Sequence, residues 1–237
     1  MLLELQNVNS FYGNSHILFD TTFSVGEGEI VAVLGRNGVG KSTTIKSIIG
    51  LLNPKNKSSV TGSIKYDGIE LIGMQSYKIV QKGISYVPQG RRIFPTCTVK
   101  ENLLISERKG VDGSKNWNLE KVYSLFPRLK EREDFMGKSL SGGEQQMLAI
   151  ARGLMQNPRL LLLDEITEGL SPIVVNELKE VFKELAKEDI TILLAEQNIK
   201  FAIGCCSRAY IMEKGEIVYG SDNNEIPKDI IAKYLGV

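Results

Sequence analysis

The residues Gly35-Arg36-Asn37-Gly38-Val39-Gly40-Lys41-Ser42 carry the spacing G-x-x-x-x-G-K-[ST], which suits the phosphate chain of a nucleotide. Glycines in such a loop let backbone N–H groups turn inward onto phosphate oxygens, and a helix starting at the lysine adds the positive end of its dipole. Lys41 is expected to neutralise charge on the β- and γ-phosphates, Ser42 to offer its hydroxyl to Mg²⁺, and Thr43 to reach the α-phosphate. Gly35, Asn37, Gly38, Gly40, Lys41, Ser42 and Thr43 are thus the candidate phosphate ligands. The plainer reading is a glycine-rich turn that merely ends a strand. An apolar run in front (Ile30–Leu34) and a helical pattern behind favour phosphate binding.

A second constellation is Asp164-Glu165, following Leu160-Leu161-Leu162-Leu163. In doubly wound sheets the carboxyl ends of buried strands line the ligand crevice. Asp164 would stand beside the phosphate loop and hold Mg²⁺ through water, and Glu165 would orient or deprotonate an attacking water. Alone, the pair could be two solvated acids capping a strand. A third candidate is Leu140-Ser141-Gly142-Gly143-Glu144-Gln145-Gln146, which opens an amphipathic helix running to about Met155. Hydroxyl, free amides and dipole converge there on an anion-binding surface, although Ser-Gly-Gly alone is also an ordinary N-cap.

The elements that must position these groups read as follows. Leu2–Val8 alternates like a half-buried strand. Phe23–Val25 and Gly62–Tyr66 have the same character, and turn residues separate them, which predicts a small antiparallel sheet near the start. Ile30–Leu34, Leu160–Leu163 and Thr191–Ala195 are continuous apolar runs, as in strands buried on both faces. Helices are predicted over Lys41–Leu52 and Val174–Ala186, the latter with Val174, Leu178, Val181, Phe182 and Leu185 on one face. Strand–helix alternation argues for a parallel α/β sheet. Arg91–Gly153 lacks such strands and reads as an inserted helical lobe, and Asn53–Ser59 as a polar loop.

The chain has 237 residues, 42% of them hydrophobic, with 29 basic and 28 acidic residues giving a net charge of +1. That balance offers no footing to nucleic acid. Met1-Leu2-Leu3 is followed at once by Glu4, without the flanks of a secretory leader. No apolar stretch approaches the roughly 18 residues of a spanning helix. A soluble cytoplasmic protein is expected. Cys97, Cys205 and Cys206 have neither metal-ligand nor disulfide spacing and read as buried free thiols.

Together these motifs resemble, in order and over essentially the whole chain, the nucleotide-binding subunits of ABC transporters, whose signature is LSGGQ; here Glu144 replaces the final glutamine. The resemblance implies a single nucleotide-binding domain with a P-loop NTPase (RecA-like) parallel-sheet core. Residues 1–90 and 154–237 would form this core together with an N-terminal antiparallel β subdomain, and residues 91–153 the helical lobe. It implies ATP and Mg²⁺ as cofactors, and Ser141, Gly142 and Gly143 contacting the γ-phosphate held by an opposite subunit. It further implies Tyr12 stacking on adenine, and Gln89 touching both Mg²⁺ and the attacking water. The metal would then be held by Ser42, Gln89 and Asp164, with Glu165, Gln89, Gln197 and Lys41 carrying the chemistry. Arg91-Arg92-Ile93-Phe94-Pro95 would line a docking groove for transmembrane permease subunits.

The sequence also departs from the family pattern. Gln197 stands where many relatives have a histidine that steadies the γ-phosphate; it can donate a hydrogen bond but carries no positive charge. Ile166 stands in place of a proline and Ser171 in place of an aspartate. His16, the one histidine, reads as a surface or adenine-side residue. Pro88–Pro95, Glu168-Gly169-Leu170, Glu196-Gln197-Asn198 and Tyr234-Leu235-Gly236 resemble the short ATPase subunits of branched-chain amino-acid importers, with cousins serving urea and short amides. In that group a second, different ATPase subunit pairs with the first, two identical subunits being the alternative. A substrate-binding protein participates indirectly, and the ATPase is peripheral on the cytoplasmic face of the cell membrane. An ABC ATPase outside transport would carry a coiled-coil insertion or two ATPase units. A P-loop kinase would have no use for Leu140–Gln146.

Overall fold

In the computed structural model, residues 1–52, 57–221 and 225–235 are described. Strand β1 (Leu3–Tyr12) runs antiparallel to β2 (Ser15–Val25) across a turn at Gly13, whose φ of 57° suits a residue without a Cβ. β1 extends past the predicted Val8 because Ser10, buried, bonds its Oγ to Ser47 Oγ at 2.8 Å and so docks the strand on the helix that follows the loop 35–40. β3 (Ile30–Leu34) is buried at every position, as its unbroken apolar run requires. Helix α1 (Lys41–Ile48) ends short of the predicted Leu52, since the chain turns through Gly50 at φ 70°.

β4 (Ser58–Tyr66) and β5 (Ile69–Glu70) complete a four-stranded antiparallel sheet ordered β2-β1-β4-β5, matching the sheet expected near the start. Ser58 and Ser59 belong to β4 rather than to a polar loop, because they pair with Tyr12 and Phe11 of β1. Positions 53–56 of that loop, and Gly236 of the Tyr-Leu-Gly ending, lie outside the described residues. After the short α2 (Ser76–Val80) comes β6 (Ile84–Val87), a strand that the sequence reading did not anticipate.

Between residues 91 and 153 the chain forms α3 (Val99–Ser106), α4 (Leu119–Leu125), α5 (Pro127–Glu131), a 3₁₀ turn at Gly137–Ser139 and α6 (Gly142–Leu154). There follow β7 (Leu160–Asp164), α7 (Pro172–Leu185), β8 (Thr191–Glu196), α8 (Ile199–Ile203), β9 (Arg208–Glu213), β10 (Glu216–Gly220) and α9 (Lys228–Leu235). The second sheet has six strands ordered β10-β9-β3-β8-β7-β6, parallel from β9 to β6 and antiparallel at the β10 edge. Alternate residues of its central strands feed two cores. Ala32, Leu34, Leu161, Leu163 and Ile192 pack with α3, α6 and α7, while Val31, Val33, Leu160, Leu162 and Leu193 pack with α1 and the antiparallel sheet. With both faces covered, the open crevice lies at the carboxyl ends of β3, β7 and β8, where the loop 35–40, Asp164-Glu165 and Glu196-Gln197 all emerge.

No helix among the described residues is long and apolar enough to cross a membrane. The three cysteines are free; Cys206 is buried, while Cys97 and Cys205 are half-buried rather than fully enclosed.

Candidate nucleotide site

Gly35 leaves β3 under the backbone of Met212: a Cβ here would lie 2.5 Å from the Met212 carbonyl oxygen. Gly40 sits at φ 117°, immediately before α1. The lysine that follows is 3% exposed. Its Nζ donates to the Gly35 and Arg36 carbonyls at 2.9 Å each and lies 3.0 Å from Glu165 Oε1. Lys41 therefore closes the loop onto itself and onto the end of β7.

Ser42 Oγ donates to Asp164 Oδ1 at 2.8 Å, and the Tyr86 hydroxyl reaches Asp164 Oδ2 at 3.3 Å. Asp164 is 1% exposed; burial, with the neighbouring Glu165 charge, pushes its carboxyl up, against the hydrogen bonds from Ser42 and Tyr86. Glu165 adopts φ 48° and donates its N–H to the Ala195 carbonyl at 2.8 Å. A side chain in the left-handed region costs about 1 kcal/mol or more, and such strain gathers at sites where a group must be aimed.

Gln89, just past β6, joins the same cluster. Its Nε2 donates to Glu165 Oε2 at 2.9 Å and to Glu168 Oε2 at 2.6 Å. Arg91, at φ 53°, directs Nη2 to the Glu168 and Gly169 carbonyls at 3.4 and 3.2 Å. Its other guanidinium nitrogen lies where a Cβ on Gly142 would come within 2.5 Å. One arginine thus touches both the turn after β7 and the start of α6.

Ser141 caps α6 reciprocally: its Oγ accepts from Glu144 N at 3.3 Å, and Glu144 Oε2 accepts from Ser141 N at 2.8 Å. Burial works against the charge of Glu144, but these bonds and Arg132, 3.7 Å away, hold its carboxyl below the usual range. Gly143 faces Val174 of α7, whose methyls a Cβ would meet at 2.8 Å. The structure therefore brings Lys41, Ser42, Asp164, Glu165 and Gln89 into contact, and sets Ser141–Gly143 on a neighbouring helix tip.

Gln197 opens onto a cleft of about 300 Å³ that it shares with Asn37, Glu165, Thr167, Glu168 and Asn198. Tyr12 ends β1 with 39% of its surface exposed. His16 is stacked on Phe11 (centroids 4.2 Å apart) and tilted against Phe19 (3.8 Å), with Nε2 on Asn9 Oδ1 at 2.9 Å, so it is built into a ring cluster on the β1–β2 hairpin. Sequence reasoning missed Tyr86, Thr167, Glu168 and Glu196 as members of the cluster. The one available signal was at Glu196, a carboxylate closing the apolar run Ile192–Ala195.

The family model described as "ABC transporter" matches residues 18–168. The chain belongs to the ABC transporter family. It shares 42% identity over 217 residues with a Pseudomonas aeruginosa protein named high-affinity branched-chain amino acid transport ATP-binding protein BraG, covering 92% of this chain and 91% of that one. It is also 32% identical over 238 residues to the Escherichia coli lipopolysaccharide export system ATP-binding protein LptB, covering 99% and 97% of the two chains. The solved structure of a nucleotide-free ATP-binding cassette from an ABC transporter superposes with a TM-score of 0.82 at 25% identity, over 98% of this chain and 95% of that one. As an ABC ATP-binding subunit the chain binds nucleotide and is an ATPase.

Proposed function

We propose that this ABC ATPase energises the uptake of branched-chain amino acids through separate transmembrane permease subunits, working as a peripheral protein on the cytoplasmic face of the membrane. The observation that carries the proposal is the BraG likeness, ten points of identity above the lipopolysaccharide exporter subunit (42% against 32%) over nearly the whole chain. The direct bond from Gln89 to Glu165 supports a mechanical route from the segment 89–95 to the carboxylate proposed to act on water.

In this reading Tyr12 stacks on adenine. Gly35, Asn37, Gly38, Gly40, Lys41 and Thr43 cradle the phosphates, and Ser141–Gly143 close over the γ-phosphate of a partner ATPase subunit. Ser42 Oγ and Asp164 Oδ1, 2.8 Å apart, are hard oxygen donors that suit Mg²⁺, with Gln89 supplying an amide oxygen. When bound, the ion neutralises charge between the β- and γ-phosphates. Glu165 accepts a proton from, or orients, the attacking water, and Gln197 donates a neutral hydrogen bond where relatives place a histidine. Because Gln197 lacks a positive charge, the partner is best a different ATPase subunit that supplies the histidine. Residues 91–153 serve as the helical lobe that presents Ser141.

Uptake of labelled leucine and of labelled urea, in cells lacking the gene and in cells complemented with it or with Glu165→Gln, tests the assignment. Leucine uptake that falls on deletion and returns only with the wild-type gene supports it. Loss of urea uptake alone would move the assignment to the amide importers.

A further inference from the structure

Glu196 closes β8 with 2% of its surface exposed. Its Oε1 accepts the Thr167 N–H at 2.9 Å. Its Oε2 accepts the Thr167 hydroxyl at 2.8 Å and the N–H groups of Gln197 and Asn198 at 3.1 and 3.3 Å. Its backbone carbonyl accepts the N–H of Gly35, the first residue of the phosphate loop, at 3.3 Å. Burying a carboxylate against neutral donors is costly, and an apolar residue would fill the end of this strand more simply. What the carboxylate supplies is connectivity. Thr167 lies two residues after Glu165 and one before Glu168, and Gln197 follows Glu196 directly, so one side chain ties the turn after β7 to the loop after β8.

We propose that Glu196 is a positioning residue for ATP hydrolysis, its two oxygens locking the Glu165–Glu168 turn and the Gln197 loop into one rigid unit. The proposal rests on the roles given above to Glu165 and Gln197. Both oxygens face fixed backbone donors, which an amide cannot satisfy: with glutamine at 196, the NH₂ group opposes either the Thr167 N–H or the pair from Gln197 and Asn198. The two segments are then tied only by the Glu165 N–H to the Ala195 carbonyl and the β7–β8 pairing behind it, and the side-chain tie that fixes Gln197 relative to the turn after Glu165 is lost. Of the residues proposed to meet phosphate, the Glu196 side chain reaches only the backbone N–H of Gln197 and none of the loop residues Gly35–Thr43, so nucleotide affinity changes far less than turnover.

The 237-residue chain, assembled with its partner ATPase subunit, is compared with Glu196→Gln, Thr167→Val, Thr167→Ser and Glu165→Gln for ATP hydrolysis, KM for MgATP and melting temperature. For Glu196→Gln the expected result is kcat reduced roughly 10–100-fold, as befits a misplacement of about 1 Å, with KM changed less than about threefold. Thr167→Val, which removes the hydroxyl leg alone, lowers kcat by a smaller factor, and Thr167→Ser, which keeps it, restores the wild-type rate. A Glu196→Gln protein with kcat within about twofold of wild type overturns the proposal. So does a loss of rate that merely follows the unfolded fraction, or equal losses in Thr167→Val and Thr167→Ser. If Glu196→Gln does not fold, the Thr167 pair decides alone. Normal turnover in Glu196→Gln beside an inactive Glu165→Gln removes only the positioning role; normal turnover in Glu165→Gln brings down the reading of the site and this proposal with it.

Discussion

Lys41 Nζ lies 3.0 Å from Glu165 Oε1, so the ammonium proposed to meet phosphates and the carboxylate proposed to meet water form an ion pair with each other. Both side chains are largely enclosed, at 2% and 11% exposure. In the proposed site, phosphates compete with Glu165 for Lys41, so Glu165 would be released toward water only with the γ-phosphate in place. Competition of this kind suppresses a base that would otherwise be ready without substrate.

Removing the negative charge should therefore separate binding from turnover. Glu165→Gln is expected to bind ATP at least as tightly as the wild type, since Lys41 no longer has a charged competitor. Hydrolysis should fall by roughly 100-fold or more. Fluorescent-nucleotide titration and phosphate-release assays read the two quantities, and a tenfold loss of ATP affinity would contradict the competition.

Arg91 links the turn after β7 to the tip of α6, with bonds to the Glu168 and Gly169 carbonyls and a guanidinium nitrogen against Gly142. Arg91→Ala should lower turnover severalfold while ATP binding to the isolated chain stays unchanged. Gly142→Ala pushes the same guanidinium aside, because its Cβ would sit 2.5 Å from Nη1. The two effects should fail to add in the double variant, since both act through one side chain. Full additivity in steady-state hydrolysis would show that Gly142 acts independently of Arg91.

Gly35 should tolerate no side chain for reasons of packing alone. The Met212 carbonyl that a Cβ would strike at 2.5 Å belongs to β9, which pairs with β3 and cannot retreat cheaply. Gly35→Ala is expected to cost about 2 kcal/mol, lowering the melting temperature by about 4–8 °C. Calorimetry in the absence of nucleotide isolates this effect from any change in phosphate binding.

Burial pushes the Cys205 thiol up to about 12 and the Cys206 thiol up to about 11. A raised thiol stays protonated until the pH approaches its own value, so at pH 8 both thiols are overwhelmingly protonated. Iodoacetamide at pH 8 should modify both slowly in the native protein and quickly in denaturant, with native rates climbing as pH rises. Peptide mass mapping over time resolves each position.

The parts of the fold that sequence conveyed were those in which a single strong interaction dictates local structure. Ile30–Leu34, Leu160–Leu163 and Ile192–Ala195 are apolar at every position because both faces of each strand are covered, and each became a central strand. β6 escaped because Ile84–Val87 is short and contains Ser85 and Tyr86, so its apolar run is broken, although its partner Leu160–Leu163 was plain. Gly50 ended α1 early through a backbone angle that a pattern of apolar spacing does not encode. Gly35–Ser42 and Asp164-Glu165 stood out because each pattern lies in consecutive residues, and the structure sets the two side by side. Glu168, Thr167 and Glu196 did not, since each gains its meaning from a partner about 30 to 80 residues away in the chain.

The cap on α6 has an electrical consequence. Glu144, standing where the family signature has glutamine, places a carboxylate within hydrogen-bond reach of Ser141, the residue proposed to meet a second subunit's nucleotide. Two subunits closing around ATP would thus bring a fixed negative charge toward a triphosphate, relieved in part by Arg132. The repulsion is long-ranged at low ionic strength and falls within a Debye length of about 8 Å at 0.15 M salt. Closure of this ATPase should therefore be governed by the ionic composition of its surroundings, with moderate salt promoting the sandwich that dilute buffer opposes.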